Sequence, residues 1–250
     1  MQLDPTVAAA GIKLIAHDII GSTNTDACEC ARAGERSPLW VTAREQTAGR
    51  GRRGNVWISR PGNLFASLLL PSVPSGRAGE VAFVAGLAVF DAIAALAPPP
   101  AGRLSLKWPN DVLLDGAKLA GLLIEAEGDW AVIGIGVNCA HHPHNTAQAA
   151  TDLAAAGVPV SAETMFAALS RTMHLRLQQW ARGTGFALVR SDWLARAAGI
   201  GKDIRVRLPG QELAGRFQGL DETGHLLLRL PDGNIQAVSS GEVFALAATG

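Results

Sequence analysis

The segment Gly49-Arg50-Gly51-Arg52-Arg53-Gly54 combines backbone freedom with cationic side chains. Three glycines permit tight curvature with N–H groups turned inward as an anion nest. The three arginines add charge-assisted donors suited to phosphate or carboxylate. A loop closing over a phosphate-bearing ligand is the leading reading; an arginine-rich nucleic-acid segment and a solvated surface loop are the alternatives. No Gly-Lys-Ser/Thr follows, so this is not a Walker A loop. Trp57, just beyond, reads as a core residue by default, with base stacking as the alternative.

Three other segments carry suitable groups. In KWPNDVLLDGAKLAGLLIE at 107–125, Trp108-Pro109 calls for extended chain, which leaves Asn110 and Asp111 at a break in the ladder, aimed at a ligand. Asp115-Gly116 marks a hairpin turn, from which an ordinary charged surface hairpin is the simpler reading and a pocket shared by Lys107, Asp111 and Lys118 on paired strands the functional one. The small pair Ala120-Gly121 implies close approach of a ligand or another backbone. VIGIGVN at 132–138 lacks the third glycine and following helix of a dinucleotide fingerprint, and reads as a buried strand ending in a polar Asn138. GSTNTDA at 21–27 places Ser22, Thr23 and Asn24 at a helix start, where a plain N-cap is the simpler reading.

Two further groupings carry less. CAHHPH at 139–144 holds three of the six histidines, but its proline-containing loop fixes no coordination geometry, so no metal site is expected. Cys28 and Cys30 stand two apart on a helix and do not face each other.

The elements that position these residues follow from pattern. Thr23-x-x-Asp26 reads as a capping box opening a short helix ended by Gly34. Leu39 to Ala43 and Asn63 to Leu70 read as strands, and Gly79 to Ala97 as a buried helix ended by Pro98-Pro99-Pro100. Leu104 to Cys139 reads as four antiparallel strands. Ser161 to Ala181 and Phe186 to Ala198 read as helices, the first with Phe166, Leu169, Met173, Leu177 and Trp180 on one stripe. After Gly199-Ile200-Gly201, four short strands separated by Pro-, Gly- and Asp-rich turns give about fifty residues, the size of an SH3-like barrel. The expected fold is α+β: a mixed, largely antiparallel sheet with helices over residues 1–198, then a small β domain over 199–250.

Composition bounds the function. The chain has 250 residues, with 22 Lys+Arg balancing 22 Asp+Glu. A nucleic-acid protein usually carries a positive excess, so any basic site here is local. Three cysteines without a C-x-x-C pair suit a reducing cytosol. No secretory signal pattern opens the chain, and the most membrane-like run, 81–97, is broken by Asp91. A cytoplasmic protein without membrane attachment is expected. Lysine is scarce: besides Lys13, Lys107, Lys118 and Lys202, every cation is arginine. Where lysine survives, a compact point charge is the function arginine does not imitate.

Together, STN at 22–24, QTAGRGRRG at 46–54 with Trp57, KWPNDVLLDGAKLAGLLIE at 107–125 and GIGVN at 134–138 resemble the biotin protein ligase family, in its order and spacing. The C-terminal strands, ending at SGEV, resemble its small SH3-like domain more weakly. The resemblance implies a class II synthetase-like catalytic domain. It implies ATP-dependent conversion of biotin to biotinyl-5′-adenylate, then transfer to one lysine of a biotin carboxyl carrier protein, with Mg²⁺ accompanying ATP. By resemblance, Ser22, Thr23, Asn24 and Gln46 hold the ureido ring, and Gly121 and Leu123 pack near it. Arg50, Arg52 and Arg53 belong to the closing loop, and Trp57 and Asn138 bound the adenine. Lys118 bridges the biotin carboxylate and the α-phosphate. Asn110 and Asp111 lie near the adenylate, Asp111 placed to receive the acceptor lysine.

Gly21 stands where members often carry an acidic or small polar residue, and Asn55 where many carry another base. STN begins at residue 22, whereas a helix-turn-helix domain needs roughly 50 residues or more. The resemblance is therefore to the monofunctional form, without DNA binding; a homodimer is left open. A lipoate-type ligase on the same fold is the rival enzyme, and an arginine-loop nucleic-acid binder the rival outside enzymes.

Overall fold

The computed structural model describes residues 1–97, 102–144, 146 and 148–245. The Pro98–Pro100 stop and residues 246–250 of the small β domain lie outside these. After a short helix α1 (Pro5–Ala9), the main sheet collects β1 (Lys13–Ile20), β2 (Leu39–Gln46), β3 (Leu64–Leu70), β4 (Leu104–Lys107), β5 (Asp111–Leu114), β6 (Ala117–Glu127) and β7 (Trp130–Val137). Their spatial order is β1-β2-β3-β7-β6-β5-β4. Every neighbouring pair is antiparallel except β1 with β2, which are parallel. The connection between those two is α2 (Thr23–Arg32), as a crossover requires.

Side-chain alternation assigns the two faces. Ile133, Ile135 and Val137 of β7 and Trp40 of β2 enter the large core under α3 (Glu80–Leu96), α4 (Ala162–Trp180) and α5 (Phe186–Leu194). The Trp40 ring meets Phe166 of α4 edge-on, with centroids 5.4 Å apart. The opposite face receives Val41, Leu69 and Val132, which pack on Ala27, Cys28 and Ala31 of α2. Further along the same strands this second face changes character: Leu69 is followed by Ser67 in β3, and Val132 by Gly134 and Gly136 in β7. There the sheet offers a polar, glycine-lined floor, met at Ser67 and Gly134 by the first turn of α2. All five stripe residues of α4 turn inward, four fully buried and Leu177 partly so.

A second, five-stranded antiparallel sheet contains β8 (Asp203–Leu208), β9 (Gln211–Leu220), β10 (Leu226–Arg229), β11 (Ile235–Val238) and β12 (Glu242–Ala245), in the order β11-β10-β9-β8-β12. Its Ile204, Phe217 and Leu226 join the large core. Trp108 Nε1 donates to Gly224 O at 3.1 Å, fastening the two sheets at the Trp-Pro turn. The mixed, largely antiparallel main sheet and the smaller antiparallel one are the expected α+β fold.

Several local expectations need correction. β1 and β12 carry no strong pattern and were not expected. β1 is an edge strand with one exposed side, so its alternation is weak; β12 is four residues long. The N-cap of α2 is Ser22, and no side chain caps it. Thr23 is not a capping residue because its N–H and hydroxyl both bond to Gln46. Asp26 faces His17 instead of the helix start. No described helix is long and apolar enough to cross a membrane.

Candidate active site

The four chemistry-bearing segments line one cavity of about 460 Å³, over the glycine floor of the main sheet. At one end lies a buried polar chain. Gln46 Oε1 accepts from Thr23 N at 2.9 Å and Thr23 Oγ1 at 3.1 Å, while Gln46 Nε2 donates to Ser59 Oγ at 2.9 Å. Ser67 Oγ lies 2.8 Å from Thr23 Oγ1 and 2.6 Å from Asn24 Oδ1. Asn24 Nδ2 donates to Glu125 Oε2 at 2.7 Å. Ser22, Thr23, Asn24 and Gln46 all line the cavity, and the hydrogen bonds of Asn24 to Ser67 and Glu125 fix its amide there. A Cβ on Gly134 would collide with Asn24 Oδ1, which is why β7 carries glycine there.

The glycine loop is more closed than a nest. Arg50 and Val56 form an antiparallel bridge, Gly51 N donates to Asn55 O at 2.7 Å, and Trp57 N donates to Gly49 O at 3.0 Å. These N–H groups are satisfied within the loop. What the loop projects is its arginines, Arg50 toward β6 and Arg52 and Arg53 toward the start of β12. Arg50 reaches Glu125 at 3.3 Å, Arg52 donates to Asn110 Oδ1 at 3.0 Å and Gly241 O at 3.4 Å, and Arg53 lies 3.8 Å from Glu242. Burial pushes the Arg52 guanidinium below its ordinary pKa, and the neighbouring Arg53 charge acts in the same direction.

Trp57 leaves the loop and lies over the glycine floor. Its indole would be 2.5 Å from a Cβ on Gly136 and 2.9 Å from one on Gly121. The close approach inferred at Ala120-Gly121 is real, but its partner is an indole. Ala120 itself faces the large core. Trp57 Nε1 is buried without a hydrogen-bond partner.

At the centre, Asp111 opposes Gly121 across β5 and β6. Lys118 Nζ stands 2.7 Å from Asp111 Oδ1 and 5.4 Å from the Trp57 ring centroid. The ion pair lacks hydrogen-bond alignment, so Asp111 Oδ1 is buried with no directed donor. Lys107 Nζ lies 4.0 Å from Asp111 Oδ2 and donates to Gln148 Oε1 at 3.0 Å. Burial pushes the Lys107 ammonium below its ordinary pKa, against the opposing pull of Asp111. The three groups meet at one pocket, so the hairpin is not an ordinary charged surface one.

Asn110 is not free. Its Nδ2 donates to Leu122 O at 2.7 Å and its Oδ1 accepts from Arg52, so it ties the turn to β6 and to the loop. Asn138 is buried at the end of β7, with Nδ2 donating to Thr151 O at 3.0 Å. Leu123 lines the cavity, and its carbonyl lies 3.4 Å from Asn24 Nδ2. No group of three His, Cys, Asp or Glu side chains among the described residues is arranged to hold a metal ion.

Sequence reasoning missed Ser67, Glu125, Gln148, Arg207, Glu242 and Phe244. Ser67 had a signal, as the one hydroxyl in the apolar strand LFASLLL. Arg207, Glu242 and Phe244 had none, because they reach the cavity only by docking of the second sheet.

Comparison with known proteins gives consistent results. A profile described as the Biotin/lipoate A/B protein ligase family matches residues 18–138, and one described as the Biotin protein ligase C terminal domain matches residues 199–246. The biotin–[acetyl-CoA-carboxylase] ligase of Paracoccus denitrificans is 42% identical over 236 residues, covering 89% of this chain and 96% of that protein. The bifunctional ligase/repressor BirA of Escherichia coli is 32% identical over 237 residues, covering 90% of this chain and 71% of its own length. Among solved structures, the biotin protein ligase from Aquifex aeolicus in complex with biotin and ATP superposes with a TM-score of 0.79 at 26% identity, covering 93% of this chain and 97% of that one.

Proposed function

This chain belongs to the biotin protein ligase family, and from that premise we propose how its own residues carry out the two half-reactions. The enzyme activates biotin with ATP to biotinyl-5′-adenylate and transfers biotin to a lysine of a biotin carboxyl carrier protein. The observation that carries the residue assignment is the convergence of all four motif segments on one cavity, with the Lys118–Asp111 pair at its centre.

Ser22, Thr23 and Gln46 receive the ureido ring, held in place by Asn24. Gly121, Leu123 and the Trp57 face accept the apolar body of biotin, and Trp57 and Asn138 bound the adenine. The biotin carboxylate oxygen attacks the α-phosphorus, the bond to the β-phosphate oxygen breaks, and pyrophosphate leaves. Two anions approach each other in this step. Lys118, Arg50, Arg52 and Arg53 relieve that repulsion and stabilise the developing charge. Lys118 suits the bridging place because an ammonium acts as a compact point charge between oxygens. Asn110 fixes the turn beside the adenylate and supports Arg52.

In the second half-reaction a neutral carrier lysine attacks the acyl carbon, AMP leaves, and the amine loses a proton. Asp111 is assigned as the acceptor or orienter of that amine. A buried oxygen without a directed donor supports the assignment. The loop 49–57 shields the mixed anhydride from water. Mg²⁺ belongs to this reading as an ion arriving on ATP. The donors at hand, Asp111 and Glu242, fit an ion that keeps several waters and takes most of its ligands from phosphates. When bound, it neutralises triphosphate charge.

The same proposal divides the chain at 198/199, in keeping with the C-terminal profile match from residue 199. It includes a cytoplasmic location, in keeping with three free cysteines, and no DNA binding, in keeping with zero net charge. A homodimer remains outside it. The test is purified protein with ATP, Mg²⁺ and either biotin or lipoate. Pyrophosphate release and retained adenylate with biotin support the reading; turnover with lipoate alone, or with neither, overturns it.

A further inference from the structure

Glu125 has no part in the two half-reactions as assigned, and it does not line the cavity, yet it holds two residues that do. On β6 it shares a face with Gly121 and Leu123 and stands opposite Val132 of β7, where the first turn of α2 meets the sheet. Its Oε2 accepts from Asn24 Nδ2 at 2.7 Å, and both carboxylate oxygens lie 3.3 Å from Arg50 Nη2. The same Arg50 nitrogen lies 3.3 Å from Thr25 Oγ1. One carboxylate thus joins α2, β6 and the glycine loop.

A carboxylate only accepts hydrogen bonds, whereas an amide accepts on one side and donates on the other. Glu125 therefore turns the Asn24 nitrogen toward itself and the Asn24 oxygen toward Ser67. Leu123 O, 3.4 Å from the same nitrogen, is a second and more distant acceptor. The Ser67 hydroxyl has one proton, and Asn24 Oδ1 at 2.6 Å takes it. Ser67 then has nothing to donate to Thr23 Oγ1 at 2.8 Å. The Thr23 proton goes to Ser67 Oγ or to Gln46 Oε1, and both Thr23 lone pairs stay unclaimed. With the Asn24 amide reversed, its nitrogen would donate to Ser67, Ser67 would donate to Thr23, and one of those lone pairs would be used up. Gln46 is set from its other end, with Nε2 donating to Ser59 Oγ and Oε1 accepting from Thr23 N.

We propose that Glu125 is a positioning residue for the biotin end of the cavity: its carboxylate fixes the direction of the buried chain Asn24–Ser67–Thr23, so that Thr23 meets a ureido N–H as an acceptor, and it ties Arg50 to the same wall. The role rests on the ligase reading above. Direction matters because a hydroxyl turned the wrong way sets donor against donor, and a buried polar group without its partner costs more than a hydrogen bond gains. The negative charge is tolerable there because Arg50 lies beside it and Asn24 stands between it and the cavity.

The experiment compares wild type with Glu125→Met, Asn24→Asp and the double variant Asn24→Asp/Glu125→Gln, using Glu127→Met as control. Glu127 is the next carboxylate on the same face of β6, paired with exposed Arg32 at 2.8 Å and outside the cavity. Kd for biotin by calorimetry, KM for ATP, and the proton–nitrogen NMR signals of the Asn24 side-chain amide without ligand are read for each variant that keeps the amide. Glu125→Met is expected to raise Kd for biotin about tenfold, the loss of one hydrogen bond to a charged group, to change KM for ATP less, and to displace the amide signals. Glu127→Met leaves all three in place. Asn24→Asp sets two carboxylates against each other and weakens biotin at least as much as Glu125→Met. The double variant exchanges the two side-chain types: the carboxylate accepts from Ser67, the amide at 125 donates to it, and the direction of the chain is kept. Its Kd for biotin is expected within about threefold of wild type. A Glu125→Met value within about twofold of wild type, an equal shift in Glu127→Met, or a double variant no better than Asn24→Asp overturns the role. If Glu125→Met does not fold, the double variant decides. Failure of wild type to bind biotin counts against the ligase reading alone, because the amide signals still show whether Glu125 sets the direction of Asn24.

Discussion

Lys118 Nζ and Asp111 Oδ1 stand 2.7 Å apart across the β5–β6 pair, directly over the strand position occupied by Gly121. A side chain at 121 would fill the space between this pair and the Trp57 indole. The two charges therefore share a site with an aromatic wall and a floor of bare backbone. Their mutual attraction keeps both in place, and each remains available: the ammonium for oxygens between it and the ring, the carboxylate for an incoming amine.

Lys118→Ala removes the cation at the reacting centre while leaving Ser22, Thr23 and Gln46 untouched. Adenylate formation should fall by the equivalent of about 3 kcal/mol in the transition state, with biotin affinity changed much less. Single-turnover pyrophosphate release and a biotin titration measure the two separately. Release within about threefold of wild type counts against the assigned role.

Arg52 ties the loop to Asn110 and to Gly241 at once. Arg52→Gly cuts both ties and adds a fourth glycine to a segment that must stay ordered. Hydrogen bonds to a charged group are worth about 1.5–3 kcal/mol, so the adenylate should leave roughly ten- to a hundredfold faster. The first half-reaction survives in part, since Lys118 and two arginines remain. The variant with ATP, biotin and serum albumin should biotinylate albumin on a blot; adenylate release no faster than wild type shows that Arg52 does not hold the lid.

Gly136→Ala tests the floor. The new methyl would stand 2.5 Å from the Trp57 ring, well inside contact distance, while Gly136 itself lies in a paired strand that accepts alanine. The indole must move. Tryptophan fluorescence should shift and KM for biotin and ATP should both rise, with thermal stability lowered by about 1–3 kcal/mol, the usual cost of overpacking. Unchanged fluorescence and kinetics would mean that Trp57 does not rest on the sheet.

Glu35 offers a pH test remote from the site. Its carboxyl accepts from Lys13 Nζ and from the N–H groups of Ser37 and Arg36, and the Lys13 bond is the largest cause holding it down to about 2, against an ordinary 4.5. A lowered carboxyl pKa contributes stability that is present above the ordinary value and lost as pH falls through the lowered one. Glu35→Gln should therefore be less stable than wild type at neutral pH. The difference should shrink below about pH 4.5 and vanish near pH 2 in urea melts followed by circular dichroism. A difference independent of pH would assign the effect to something other than this carboxylate.

Local sequence determined a good deal. GRGRRG reads as a bent, cationic loop and Asp115-Gly116 as a hairpin turn, whereas the register shift between Val112 and Leu113 that sets Gly121 opposite Asp111 is decided only in the folded sheet. Period-two alternation already placed Gly134 and Gly136 opposite Ile133 and Ile135, because a strand's side chains alternate whatever surrounds it. The scarcity of lysine marked Lys107 and Lys118 before any fold was known. Tertiary structure alone decided which partners these groups take. Thr23 became a partner of Gln46 rather than a helix cap because β1 and β2 pair in parallel across α2, bringing residue 46 beside residue 23. Trp57 became the cover of a glycine floor because β6 and β7 present Gly121 and Gly136 side by side. Arg207, Glu242 and Phe244 reached the cavity because the second sheet docks on the Trp108 turn. Such contacts join residues far apart in the chain, and loop closure over those distances is set by the whole core rather than by any local pattern.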